Sequence, residues 1–88
     1  MPELSSYRQE IDNIDREIIE LLGRRFVAVR QVGVIKKEHN LPPLQPARWA
    51  EVVKTRTAWG VENQLSPKLI TNVWNELHKY ALEEETKV

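Results

Sequence analysis

The first half of the chain carries two lines of apolar residues at a spacing of seven, with one position of the first line, between Ile18 and Val32, not apolar. One line consists of Leu4, Ile11, Ile18 and Val32, and the other consists of Tyr7, Ile14, Leu21, Ala28 and Ile35. Side chains seven apart lie nearly above one another on an α-helix. The pattern therefore predicts one long amphipathic helix from Leu4 to about Glu38, with its apolar stripe on one face.

The expected length of this helix has a consequence for assembly. Ser5 or Ser6 would cap its start, and Lys36 and Lys37 suit the negative end of the helix dipole. A helix of about 33 residues spans roughly 50 Å. A compact monomer of this size is only about 25 Å across. The helix is therefore expected to protrude, and its stripe is expected to pack against a second chain.

Prolines divide the rest of the chain into two further helices. The segment 40–43 contains two prolines and predicts a loop. Pro46 opens a second helix that is expected to run to about Val61. Ser66 followed by Pro67 predicts the N-cap and the first position of a third helix.

The third helix carries apolar residues at helical spacing. They are Leu69, Ile70, Val73, Trp74, Leu77 and Ala81. The final residues, 86–88, are expected to fray. Because no strand pattern occurs, the sequence predicts an all-α fold with three helices in a single domain, residues 1–88.

Composition narrows the classes of function. A chain of 88 residues buries a thin core, and the absence of cysteine excludes disulfides and thiolate metal sites, so a partner chain is the expected source of stability. The 13 basic residues balance the 13 acidic ones, which argues against binding to nucleic acid or to a membrane surface. Without a visible signal peptide or a membrane-length apolar run, a cytoplasmic location is expected.

Arg25 interrupts the apolar stripe, because it lies seven residues after Ile18. A guanidinium buried with the stripe needs an anion, whereas the adjacent Arg24 is expected to be solvated. Lys36 follows eleven residues later, on nearly the same face and about 16 Å further along the helix. Two cations on an inner face predict a pocket for an anionic small molecule.

Three more charged residues complete the candidate set. Arg8 points about 100° away from Arg25, so it would serve the pocket of a second chain. Arg48 lies in the first turn of the second helix, and Glu85 continues the inner face of the third helix through His78. Taken singly, each of them is also typical of a solvated surface, and His78 is typical of a packing residue.

Together these positions resemble the AroQ-type, all-helical chorismate mutase family over about residues 5–85. The matching pieces are Arg8 with residues 11–15, then residues 21–25, Lys36, and residues 45–49. The resemblance implies an intertwined homodimer with shared active sites. It also implies rearrangement of chorismate to prephenate, a step of aromatic amino acid biosynthesis, without a cofactor or a metal.

The resemblance also implies roles for individual residues. Arg25, with Arg8 of the partner subunit, would hold the two carboxylates of the substrate. Lys36 would donate a hydrogen bond to the ether oxygen, where negative charge develops. Arg48 would add positive potential and order the loop, and Gln45 would contact the ring hydroxyl through its backbone.

Three positions depart from the family pattern. Trp49 replaces a glutamate that binds the ring hydroxyl, Ala81 replaces a serine, and Glu85 replaces a glutamine that donates to the ether oxygen. Since an ionised Glu85 would repel the developing charge, our hypothesis is that it is protonated for full activity. The departures leave isochorismate pyruvate-lyase and 4-amino-4-deoxychorismate mutase as alternative activities. A catalytically silent helical dimer or regulatory module is the alternative of another class.

Overall fold

The chain folds into three helices connected by short loops, in a computed structural model that describes residues 1–88. Helix α1 spans Pro2–Glu38, α2 spans Pro46–Glu62 and α3 spans Pro67–Lys87, which confirms the predicted all-α class. Helix α3 packs against both of the others, whereas no Cα atom of α1 lies within 8 Å of one in α2. A gap therefore remains between α1 and α2, with α3 as its floor.

The start of α1 differs from the prediction. The helix begins at Pro2, and both Ser5 and Ser6 lie inside its first turns, so the predicted serine cap is wrong. The first hydrogen bond runs from the N–H of Ser5 to the carbonyl of Met1, at 3.0 Å. Proline is well suited to the first position, because a helix leaves the N–H groups of its first turn unpaired in any case.

Helix α1 ends at Glu38, as predicted, in a tight turn. Asn40 adopts the left-handed conformation, with φ of 55°. The N–H of Leu41 donates to the carbonyl of Lys36 at 2.8 Å, and the N–H of Asn40 donates to the carbonyl of Lys37 at 3.3 Å. This is a Schellman motif, which satisfies the last carbonyls of a helix and turns the chain away from its axis.

The two shorter helices begin where the prolines predict. Pro46 and Pro67 occupy first-turn positions, and the hydroxyl of Ser66 accepts a hydrogen bond from the N–H of Leu69 at 3.0 Å. The predicted N-cap of α3 is thereby confirmed. Helix α2 ends at Glu62, one residue beyond the expected Val61.

Helix α3 extends into the predicted tail. It continues to Lys87 and so includes Thr86 and Lys87, and the expected fraying of these residues stays a prediction. The hydroxyl of Thr86 donates to the carbonyl of Glu83 at 2.8 Å. Lys87 forms an ion pair with Glu84 at 3.6 Å, one turn earlier, and such local pairs support the end of the helix.

The apolar stripe of α1 is not covered within one chain. Its exposed large members are Leu4, Tyr7, Ile11, Ile14, Ile18, Leu21, Val32 and Ile35. Only five of the 88 residues are buried, and the molecule measures 57 × 24 × 15 Å. None of the helices combines the length and hydrophobicity that a membrane crossing requires.

Two glycines let the helices approach closely. A Cβ on Gly33 would lie 2.8 Å from the Cα of Glu85 and 3.0 Å from its carbonyl oxygen. Gly60 is in similarly close contact with the side chain of Ile70, which joins α2 to α3. The contact at Gly33 brings Lys36, one turn further along α1, up to Glu85.

Candidate active site

A pocket of about 140 Å³ occupies the gap between α1 and α2. Its lining residues are Arg25, Val29, Lys36, Pro43, Gln45, Arg48, Trp49, Val52, Arg56, His78, Ala81 and Glu85. The structure thus brings together every residue predicted for the site except Arg8.

Lys36 joins three parts of the chain at the inner end of the pocket. Its Nζ donates to Glu85 Oε1 on α3 at 2.5 Å and to the carbonyl of Pro43 in the loop at 2.6 Å. The side chains of Lys36 and Glu85 are 17% and 8% exposed, so neither is a solvated surface residue. Because an ammonium group has three N–H donors, one remains for a ligand.

Arg25 enters the pocket half-buried and without an anionic partner. Its Nη1 is buried and makes no hydrogen bond within the chain. Burial lowers the pKa of this guanidinium, and the positive charges of Arg56 and Arg48 lower it further. The sequence predicted that Arg25 needs an anion, and the chain itself supplies none. Arg24 is exposed, as predicted.

The loop and the start of α2 form the outer wall. The side-chain amide of Gln45 donates to the carbonyl of Pro42 at 2.7 Å, and the carbonyl of Gln45 accepts from the N–H of Trp49 at 3.0 Å. Arg48 forms an exposed ion pair with Glu51 at 2.5 Å. Such an exposed pair is weak, so Arg48 is free to turn towards a ligand.

Trp49 and His78 form an aromatic wall. Their rings are stacked, with centroids 3.9 Å apart and planes 11° apart. Burial lowers the pKa of His78; the charge of Glu85 opposes this shift, whereas those of Lys36 and Arg25 add to it. The imidazole is therefore neutral near pH 7. His78 lies seven residues before Glu85 on the inner face of α3. This spacing indicated a place beside Glu85 in the site, whereas the sequence analysis gave His78 a packing role only.

Arg56 is a pocket residue that the sequence analysis missed. It lies seven residues after Trp49 and four after Val52, so it shares their face of α2. The spacing would have identified it once that face was known to line a pocket.

Arg8 lies outside the pocket. It is exposed on α1, about 26 Å along the helix from Arg25. At this distance Arg8 cannot reach the pocket of its own chain. Its role in the pocket of a second chain stays a prediction.

The chemistry of the pocket follows from its charges. Four cations and one carboxylate line it, and neither serine nor cysteine is present to act as a nucleophile. Such a pocket is suited to a compact small molecule with two negative charges. It can fix that molecule's shape and stabilise negative charge that develops during a reaction.

Residues 7–86 match the family model described as chorismate mutase type II. The chain belongs to this family. The match covers all three helices, so it includes each element that contributes to the pocket. The family predicted from the arrangement of arginines and Lys36 is confirmed.

Similar proteins differ in length and in name. The chain is 37% identical over 73 residues to the T-protein of Haemophilus influenzae, a match covering 83% of this chain and 19% of that protein. It is 44% identical over 52 residues to the bifunctional chorismate mutase/prephenate dehydratase of Aquifex aeolicus, covering 59% and 14%. It is 29% identical over 84 residues to the isochorismate pyruvate lyase of Pseudomonas aeruginosa, covering 96% and 82%. The matched region is thus a fifth or less of the first two proteins but most of the third.

Proposed function

We propose that this chain is a chorismate mutase, which rearranges chorismate to prephenate in aromatic amino acid biosynthesis. The observation that carries the proposal is the pocket between α1 and α2, where the buried Nη1 of Arg25 has no internal partner. Chorismate is a dianion, and the four lining cations exceed the one lining carboxylate. Membership of the chorismate mutase type II family supports the same activity.

The rearrangement needs no covalent intermediate, because a C–O bond breaks as a C–C bond forms within one molecule. The protein must hold the substrate in its compact, near-attack shape and stabilise negative charge on the ether oxygen. Arg25 suits the first task, since its planar fork binds a carboxylate with two hydrogen bonds. The remaining N–H of Lys36 suits the second.

The other lining residues shape the outer part of the site. Arg48 would leave its exposed pair with Glu51 and add positive potential over the substrate. Gln45 would contact the ring hydroxyl through its backbone, while its side-chain amide donates to the carbonyl of Pro42. Trp49 and Ala81 would limit the space around the ring where the family pattern has polar side chains.

Glu85 has two states with different consequences. In the unliganded pocket its carboxylate is matched by Lys36 at 2.5 Å. A bound dianion would add negative charge beside it, and an ionised Glu85 would repel the ether oxygen. A protonated Glu85 would instead donate a hydrogen bond. We therefore keep the hypothesis that full activity requires protonated Glu85.

We also propose that two chains form an intertwined homodimer with shared sites. The exposed stripe of α1 supports this dimer. An apolar groove of about 450 Å³ between α1 and α3 also supports it, and its lining includes Ile18 of α1 and Leu77 of α3. In this dimer, Arg8 of the partner subunit would reach the second carboxylate of the substrate. The cytoplasmic location expected from the sequence stays a prediction.

The proposed activity is tested by identifying products. The protein is incubated separately with chorismate and with isochorismate at pH 5 and pH 7.5, and the products are separated and identified. We expect prephenate from chorismate, formed faster at pH 5. Turnover of neither substrate would contradict the proposal and favour an amino-substituted substrate or a silent dimer.

Isochorismate pyruvate-lyase is the second candidate activity. The relative bearing that name matches 96% of this chain and is of similar length. Trp49 in place of a ring-hydroxyl glutamate also weakens the case for chorismate. Salicylate and pyruvate from isochorismate, with little prephenate from chorismate, would establish the lyase.

A further inference from the structure

Arg56 is a pocket residue with no place in the family pattern that identified the site. It is half-buried on α2 and faces the gap towards α1. Its guanidinium is held from two sides, by the ring of Trp59 at 4.8 Å from the ring centroid and by the hydroxyl of Thr55 at 2.9 Å. A guanidinium fixed in this way loses little freedom when it binds a ligand.

The charges around Arg56 are unbalanced. Arg25, Arg48 and Arg56 all line one pocket, and in the unliganded pocket the carboxylate of Glu51 is bonded to Arg48. Burial and the charge of Arg48 lower the pKa of Arg56, against an opposing effect of Glu51. Glu85 is already paired with Lys36. No carboxylate of the chain is therefore free to satisfy both Arg25 and Arg56.

The two arginines line the pocket from the two helices that border the gap of the fold. Arg25 projects from α1 and Arg56 from α2, and these helices make no close backbone contact. The buried Nη1 of Arg25 has no partner within the chain. An anion between the two guanidiniums would balance both positive charges and join the two helices.

We propose that Arg56 and Arg25 together bind one carboxylate of the substrate, so that each site contains a third carboxylate-binding arginine supplied by α2. This inference rests on the proposed function, because it assigns a further binding residue to the same site. With Arg56, the site has one more carboxylate-binding arginine than a site that contains only Arg25 and the partner's Arg8. A carboxylate held by two forks is fixed in orientation as well as in place.

The test compares Arg56→Gln with Lys54→Gln, which removes an equal charge from an exposed position on the same helix. A hydrogen bond to a charged group contributes about 1.5–3 kcal/mol, which corresponds to about 10- to 100-fold in KM. We expect that increase in Arg56→Gln with kcat little changed, since the contact is made to substrate and transition state alike. Lys54→Gln should match the unsubstituted protein, and Arg56→Lys should lie between.

The outcomes separate this inference from the proposed function. If the unsubstituted protein turns over chorismate but KM is unchanged in Arg56→Gln, or rises equally in Lys54→Gln, the role of Arg56 is wrong while the function stands. The melting temperatures of both variants show whether each one is folded. If Arg56→Gln unfolds, the KM of Arg56→Lys, which keeps the positive charge, is compared with that of the unsubstituted protein instead.

If the unsubstituted protein turns over neither substrate, binding still decides the role of Arg56. Isophthalate, a non-reacting aromatic dicarboxylate, is titrated into each protein by calorimetry. Weaker binding in Arg56→Gln than in Lys54→Gln supports the inference. Equal binding in the two variants, or no binding to the unsubstituted protein, overturns it.

Discussion

Lys36 is the residue on which the geometry of the site converges, since it bonds to α3 and to the loop and keeps one donor free. We predict that Lys36→Gln lowers kcat for chorismate by about 100- to 1,000-fold, the usual effect of losing one donor to a developing oxyanion. Steady-state kinetics measure this. The control is Lys37→Gln, at an exposed neighbouring position outside the pocket. A loss in Lys36→Gln no larger than in the control would contradict the assigned role.

Glu85 makes the activity dependent on pH if its protonated form is the active one. The unsubstituted protein should then turn over faster at mildly acidic pH than at pH 7.5. Glu85→Gln should flatten that profile, because an amide donates a hydrogen bond at every pH. The measurement is kcat across this pH range for both proteins. If the dependence of kcat on pH is unchanged in Glu85→Gln, the hypothesis is wrong.

His78 should make stability, rather than activity alone, dependent on pH. Because burial lowers the pKa of its imidazole in the folded chain, the unfolded chain takes up the proton first as the pH falls. The contribution of His78 to the free energy of unfolding is thus fully present above about pH 6.5, the ordinary value, and is lost below it.

Matched histidine variants isolate this effect. His78→Phe keeps an aromatic ring against Trp49 and removes the titration, so its free energy of unfolding should fall less between pH 7.5 and 5.5 than that of the unsubstituted protein. His39→Asn, at an exposed position, should fall as the unsubstituted protein does. Urea titrations at each pH measure both. An equally steep fall in His78→Phe would contradict the account.

The residues of the site were predictable to different degrees. Arg25 stood out because it breaks an apolar repeat, and Lys36 because it shares a face with Arg25. Arg56 lies at the edge of an ordinary amphipathic face, where a polar residue looks solvated, and His78 looks like a packing residue on the inner face of α3. Only packing shows that these faces border a gap, so the sequence pattern alone could not assign them.

At the scale of elements, the crossing of α1 and α3 at Gly33 determines the distance between Lys36 and Glu85. We predict that Gly33→Ala is destabilised by about 1–3 kcal/mol, because its Cβ would meet the backbone of Glu85, which cannot turn aside as a side chain can. Gly23→Ala is the matched control on the same helix, since nothing lies within 4 Å of its Cβ. It should be stabilised by up to about 1 kcal/mol.

Urea unfolding of both glycine variants at equal protein concentration measures the contrast. Gly33→Ala should also lose activity, since the two helices must separate to admit a methyl group. If Gly33→Ala is as stable as Gly23→Ala, the close crossing does not hold Lys36 and Glu85 together.

The helix boundaries show where local signals decide the structure and where they compete. Pro46 and Pro67 each predicted a helix start correctly, because the fixed φ of proline suits the first turn and its missing N–H is not needed there. At the start of α1, both Pro2 and the serines at positions 5 and 6 are typical of a helix start, and the helix begins at Pro2. Asn40 ends α1 by adopting a left-handed conformation, which the two following prolines indicated only indirectly.

At the scale of the whole molecule, one chain is incomplete in two respects. The apolar stripe of α1 is exposed, and Arg8 lies about 26 Å along the helix from Arg25. The length of α1 was predictable from its pattern, and so was the exposure of its apolar stripe within a single chain. Both features have one explanation if two chains pair along α1 and exchange Arg8 between their sites.

The most direct test of this shared site is complementation between two inactive variants. Arg8→Gln and Lys36→Gln are purified, and each should retain little activity with chorismate. Co-refolded in equal amounts, they form mixed dimers in which one site has both Arg8 and Lys36 intact. We predict recovery of about a quarter of the unsubstituted activity, since half of the dimers are mixed and each has one working site. A mixture as inactive as its components, beside an active unsubstituted protein, would contradict the shared site.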